Sequence, residues 1–207
     1  MSHIQEEIKR IQAELPESVR LVAVSKFHPV EALQEAYDAG QRIFGESKVQ
    51  EMTMKYEALP KDIEWHFIGH LQTNKLKMVL PYVSLVQSVD SVRLLEAIDR
   101  WAAAEGKVIN VLLECFISSD ETKQGFSESE LVDLLSSDRK YANIRICGLM
   151  GMATFTDDKD VICADFQRLV DRQQILHDWI GESPNVSAGC NELSMGMSDD
   201  YPIAVAM

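Results

Sequence analysis

The sequence predicts an α/β protein built as a (β/α)8 barrel of the TIM type, and three observations carry that expectation. Short apolar segments with strand character alternate with stretches whose apolar residues recur at three- and four-residue spacing, along almost all of the 207-residue chain. The strand segments are nearly continuous in their apolar character, as in VINVLL at 108–113, which suits parallel strands covered by helices. Strand starts fall about 28 residues apart on average, close to the ~31 of a typical eight-unit barrel. An open doubly wound sheet is the competing architecture. Against it, no Gly-x-Gly-x-x-Gly follows the first strand, and no Gly-x-x-x-x-Gly-Lys-Ser/Thr occurs anywhere.

Taken in order, the opening MSHIQEEIKRIQAEL reads as an amphipathic helix with charges of both signs, not as a signal peptide with an apolar core. Strand candidates follow at 21–26 (LVAVSK), 42–45, 64–69, 85–89, 108–117, 144–152 and 191–196. Between the first two, PVEALQEAYDAG places Pro29 in a first helical turn, Val30, Leu33 and Tyr37 on one face, and Gly40 at a left-handed stop. SVRLLEAIDRWAAAEG repeats the pattern with Val92, Leu95, Ile98 and Ala102. The longest helix starts at Asp158 and carries Phe166, Leu169, Val170, Gln173 and Leu176 in one stripe. No linker or repeat divides the chain, so residues 1–207 are expected to form a single domain. Only seven strands are legible, and the eighth strand of the barrel is expected to be missing from the chain. Such a gap would expose two strand edges.

The net charge of −13 makes phosphate backbones and anionic lipid poor partners, so neither nucleic acid nor membrane is expected. No apolar run approaches the ~20 residues of a membrane span. The four cysteines, Cys115, Cys147, Cys163 and Cys190, show no metal-ligand spacing and read as reduced thiols of a cytoplasmic protein.

Candidate chemistry gathers at the carboxyl ends of the strands, where barrel enzymes build their sites. Alternation puts Val22, Val24 and Lys26 on one side of strand one. If that side faces inward, Lys26 sits in the barrel mouth, where the surrounding strands take water from its ammonium and favour an amine able to attack a carbonyl. A lysine snorkelling to the rim is the plainer alternative. Strand two leads into Gly45, Glu46 and Ser47, and strand three into His66, His70, Gln72, Asn74 and Lys75. Strand seven leads into LSMGMSDD (193–200). There the small Ser194 and Gly196 let amides approach an anion, and Ser198 is placed to cap a following helix. An amine opposite an anion-binding turn suits a carbonyl compound bearing a phosphate.

In this order, LVAVSK before a proline, FGES-KVQE, WHFIGHLQ-NK, SVDS, KQGF, GLMGMA and LSMGMS resemble the pyridoxal phosphate homeostasis protein family over residues 20–203. The resemblance implies a barrel like that of alanine racemase, holding pyridoxal 5'-phosphate (PLP) as a Schiff base. Lys26 matches the Schiff-base lysine. Ser194, Met195 and Gly196 match the loop that helps to hold the phosphate, and Ser47 and His66 match positions lining the pocket. Phe27, Ser47 and Lys48 stand where threonine, asparagine and arginine are frequent, and Glu114 and Phe116 where glutamine and asparagine are. The family's eighth strand, with its Gly-Ser-Thr and an arginine near the pyridine nitrogen, has no counterpart here.

The implied function is vitamin B6 homeostasis: a monomer that holds PLP without turnover and delivers it to PLP-dependent apo-enzymes. The alternatives are a PLP-dependent amino-acid racemase and a Schiff-base aldolase. Racemisation needs a second acid/base group, and none of Tyr37, Tyr56, Tyr82, Tyr141 and Tyr201 is placed as an obvious one. Aldolases of this fold usually carry their lysine on a later strand.

Overall fold

Strand and helix alternate along the chain in the computed structural model, which describes residues 2–119 and 124–207. Lys123 of the KQGF stretch lies outside the described residues. All seven strand candidates contain strands, and within each unit neighbouring strands pair in parallel in sequence order. The chain forms two compact units, the first made of the residues up to His70 with Asn74–Leu85, the second of Leu71–Thr73 with Val86–Met207.

In the first unit, α1 (His3–Glu14) opens on a capping box in which Ser2 and Gln5 each bond the other's backbone amide. It is followed by β1 (Ala23–Val24), α2 (Val30–Asp38), β2 (Ile43–Glu46), α3 (Val49–Ala58), β3 (Glu64–Phe67) and the short α4 (Leu76–Val79). The parallel register aligns Ala23 with Phe44 and Phe44 with Trp65, and then Glu46 with Phe67. That row is the helix-covered side: Phe44, Glu46, Trp65 and Phe67 are all at most 1% exposed. The other row runs Val24, Gly45, His66. Val24 is open on that side and Ser25 buried on the helix side, while Lys26, expected at the end of the strand, lies beyond β1.

The second unit contains β4 (Leu85–Val89, from Val86), α5 (Val92–Ala104), β5 (Ile109–Glu114), α6 (Glu128–Ser136), β6 (Ile144–Met150), α7 (Lys159–Asp178), β7 (Glu192–Ser194) and α8 (Tyr201–Val205). Side-chain caps start three of its helices: Ser91 for α5, the Ser127–Glu130 box for α6, and Asp158 for α7. Helix α5 lies against β5 and β6, and α7 against β6 and α8. Leu95, Ile98, Val111, Leu113, Leu149, Phe166 and Leu169 are all fully buried, each contributing about 1.5–3 kcal/mol of apolar burial. Val92, expected on the α5 stripe, is instead 37% exposed, at the first position of the helix.

A bulge in β6 decides what the second unit presents. Val111 pairs with Ile146 but Leu112 with Gly148, so Cys147 is the extra residue. Gly148 is required there: its φ is +151°, and a Cβ would lie 1.9 Å from the Glu192 carbonyl oxygen. Beyond the bulge, Glu114, Met150 and Ser194 fall in one row. None of the four cysteines forms a disulfide. Among the described residues, no helix is long and apolar enough to cross a membrane, and no cluster of metal-binding side chains occurs.

Candidate functional site

Lys26 lies in the turn just beyond β1, half-buried, two residues past Val24. The turn is unusual in its backbone. Phe27 has φ +66°, the only positive φ at a non-glycine among the described residues, a conformation that costs roughly 1–2 kcal/mol for an L-residue. Its ring is 70% exposed, under the Lys48 ammonium at 4.2 Å, so side-chain burial does not explain the strain.

A buried polar network does. Lys55 of α3, only 1% exposed, donates to Glu46 Oε1 at 2.5 Å, to the Ser25 carbonyl oxygen at 2.8 Å and to Glu51 Oε2 at 3.1 Å. Ser25 Oγ also donates to Glu46 Oε1, at 2.7 Å. The Phe27 amide donates to Glu51 Oε2 at 2.9 Å. That amide, with Lys55 next, holds the Glu51 carboxyl below the usual carboxylate range.

His66, on β3 in the row of Val24 and Gly45, is 4% exposed. Burial, aided by the charge of Arg20, pushes its imidazole down to about 4, so the ring is neutral at neutral pH. Ser47 follows β2 and is half-buried. The structure thus brings Lys26, Ser47 and His66 into the first unit. His70, Gln72 and Asn74, expected at the same end, are exposed.

The second unit holds Ser194, Met195 and Gly196. Ser194 Oγ donates to Gln87 Oε1 of β4 at 2.6 Å. In the same row as Ser194 stands Glu114, 3% exposed. Burial first, then the nearby charge of Asp90, pushes its carboxyl up to about 7 against a hydrogen bond from Gln124 Nε2 at 3.4 Å. Gly196 turns the chain after β7 with φ +88°, and a Cβ there would meet Ala204 Cβ at 2.9 Å and Tyr201 Cα at 3.0 Å. The expected cap at Ser198 is not formed. The Asp200 carboxylate accepts from the Met197 amide, residues 197–200 close as a turn, and α8 begins only at Tyr201 with Asp200 at its N-cap.

Sequence reasoning missed Glu51, Lys55 and Gln87, and placed Glu46 at the turn after strand two without its buried partners. Two signals were available: a glutamate at the end of an otherwise apolar strand, and a glutamine inside LVQSV, each needing a partner once buried. A shallow concavity of about 330 Å³ lined by Gln12, Arg20, Gln41 and neighbours lies by the amino ends of β1 and β2, away from Lys26.

The order of strands and helices is that of the alanine racemase N-terminal domain class, and that family's profile matches residues 1–201. Alanine racemase from Bartonella henselae shares this fold at 13% identity and a TM-score of 0.71, covering 98% of this chain and 54% of its own. The nearer kin are more specific. A pyridoxal phosphate homeostasis protein of Synechocystis sp. is 39% identical over 198 residues, covering 95% of this chain and 88% of its own. The human protein of that name is 36% identical over 215 residues, covering 98% and 76%. The structure of PipY from Synechococcus elongatus with PLP bound superposes with a TM-score of 0.84 at 34% identity, covering 99% and 93%. The chain belongs to the pyridoxal phosphate homeostasis protein family.

Proposed function

We propose that this protein binds PLP through a Schiff base at Lys26 and acts in PLP homeostasis without turning over a substrate. The observation that carries the reading is the place of Lys26: a half-buried lysine in a braced turn at the carboxyl end of β1, in a chain whose relative PipY is known with PLP bound.

The residues present fit the cofactor. Its aldehyde needs a primary amine, which Lys26 supplies. Its phosphate needs backbone amides with little side chain in the way, and the small Ser194 and Gly196 give the Ser194–Met195–Gly196 loop that composition. Ser47 and the neutral His66 are the polar groups of the first unit that would line the ring. When bound, the cofactor supplies an electron-accepting ring and an aldehyde ready for exchange between amines. The protein's own part is to orient Lys26, hold the phosphate and limit the acid/base groups at hand. Tyr37, one of the tyrosines that a racemase could recruit, donates its hydroxyl to Asp62 at 2.8 Å, and the rings of Tyr56 and Tyr82 pack at a tilt with centroids 4.6 Å apart.

The same reading treats the chain as one PLP-binding barrel domain, a cytoplasmic monomer that passes its cofactor to PLP-dependent apo-enzymes. PLP titration followed by the visible Schiff-base band tests it. Wild type develops the band at saturation and Lys26→Ala does not; an equal band in both would refute the assignment. Loss of optical activity from alanine or another amino acid would replace the carrier reading with a racemase.

A further inference from the structure

The buried network under β1 touches Lys26 at neither end of its side chain, yet it grips the backbone on both sides of it. The peptide before Lys26 offers the Ser25 carbonyl oxygen, which takes the Lys55 ammonium at 2.8 Å and the His28 amide at 3.1 Å. The peptide after it offers the Phe27 amide, which donates to Glu51. The two peptide planes that determine φ and ψ of Lys26 are therefore each tied to α3. We propose that Glu51 and Lys55, with Glu46 as the buried counter-charge, form a positioning clamp that sets the direction in which Lys26 presents its amine to PLP. This rests on the reading of Lys26 as the Schiff-base residue.

Three features argue for the clamp over a generic stabilising ion pair. Lys55 and Glu46 are 1% and 0% exposed, and burying such a pair is rarely better for stability than an apolar pair of equal size. Glu46 Oε2 has no hydrogen-bond partner among the described residues, so the network is not arranged for full satisfaction of its carboxylate. The Phe27 backbone stays at φ +66°, and strain of that kind persists only where surrounding contacts over-determine it. What the network secures is the turn.

Glu51 is the residue to test, because its side chain is 23% exposed and its removal leaves the Lys55–Glu46 pair intact. The variants are Glu51→Ala and Glu51→Gln, the second keeping an oxygen that can accept from the Phe27 amide. Two readouts are taken: amide hydrogen exchange at Phe27 without PLP, and PLP affinity from the Schiff-base band. Glu51→Ala is expected to speed Phe27 exchange and to weaken PLP binding, each by about tenfold, the scale of one hydrogen bond to a charged acceptor. Core amides such as that of Leu113 should keep their rates, and Glu51→Gln should restore most of both effects. Phe27 exchange unchanged in Glu51→Ala, or PLP affinity unchanged while Phe27 exchange rises, overturns the clamp. Wild type that binds no PLP refutes the functional reading instead, and the Phe27 exchange rates then decide alone whether Glu51 orders the turn.

Discussion

Replacing Glu114 by glutamine isolates the cost of ionising a carboxyl that the fold has placed out of water. Glu114 ends β5 at 3% exposure, in the row of Met150 and Ser194, with Asp90 as the adverse charge and a weak hydrogen bond from Gln124. Its folded pKa of about 7 against an ordinary 4.5 corresponds to about 3 kcal/mol at ~1.4 kcal/mol per unit. The sign follows from proton uptake. Between these values the folded state holds the proton that the unfolded state has released, so stability falls as pH rises. The contribution is fully present below 4.5 and lost once pH passes about 7. Glutamine keeps the shape and cannot ionise. Urea unfolding of both proteins at about pH 5 and about pH 8 should therefore show Glu114→Gln gaining on wild type by about 2–3 kcal/mol at the higher pH, since wild type at the lower pH has already lost the first fraction. Background titrations such as that of His66 cancel in the difference. A difference that does not change with pH would show that the carboxyl is hydrated or paired, and the reasoning would fail.

Three further outcomes are expected. Lys55→Met should cost about 3–5 kcal/mol, because it strands the Glu46 carboxylate, and the added Glu46→Leu should recover much of that; denaturant melts of the single and double variants check it. The His66 ring should stay neutral in an NMR titration down to about pH 4–5, its folded pKa being about 4, and stability should drop by up to about 3 kcal/mol as pH falls from 6.5 through that value; titration near 6.5 would place the ring in water. Gly196→Ala should destabilise by about 1–2 kcal/mol and weaken PLP binding, since a Cβ has neither the backbone freedom nor the space there.

Much of this architecture can be read from local pattern, because a strand buried on both faces leaves an unbroken apolar run and a helix over it leaves a stripe. VINVLL and the Leu95–Ile98–Ala102 face are legible for that reason. The candidate site is legible in part: Lys26 stands out as a charge ending an apolar strand, and Ser194–Gly196 as a small-residue turn. What pattern does not carry is partnership across the fold. Lys55 in VQEMTMKYEA looks like any surface lysine of a helix, and only the arrival of β2 beneath α3 turns it into a buried cation between Glu46 and the Ser25 carbonyl. The same long-range contacts accompany the end of β1 at Val24, two residues before the end of the 21–26 strand candidate, with Ser25 and Phe27 held in the turn. Ser198 fails as a cap because Asp200, further along, competes for the same loop and bonds the Met197 amide.

The account stands on a covalent link between PLP and one lysine. Borohydride reduction of the PLP-loaded protein, followed by peptide mapping by mass, should place the reduced cofactor on Lys26 alone. An adduct spread over Lys48, Lys75 and other surface lysines, with Lys26 unmodified, would contradict it.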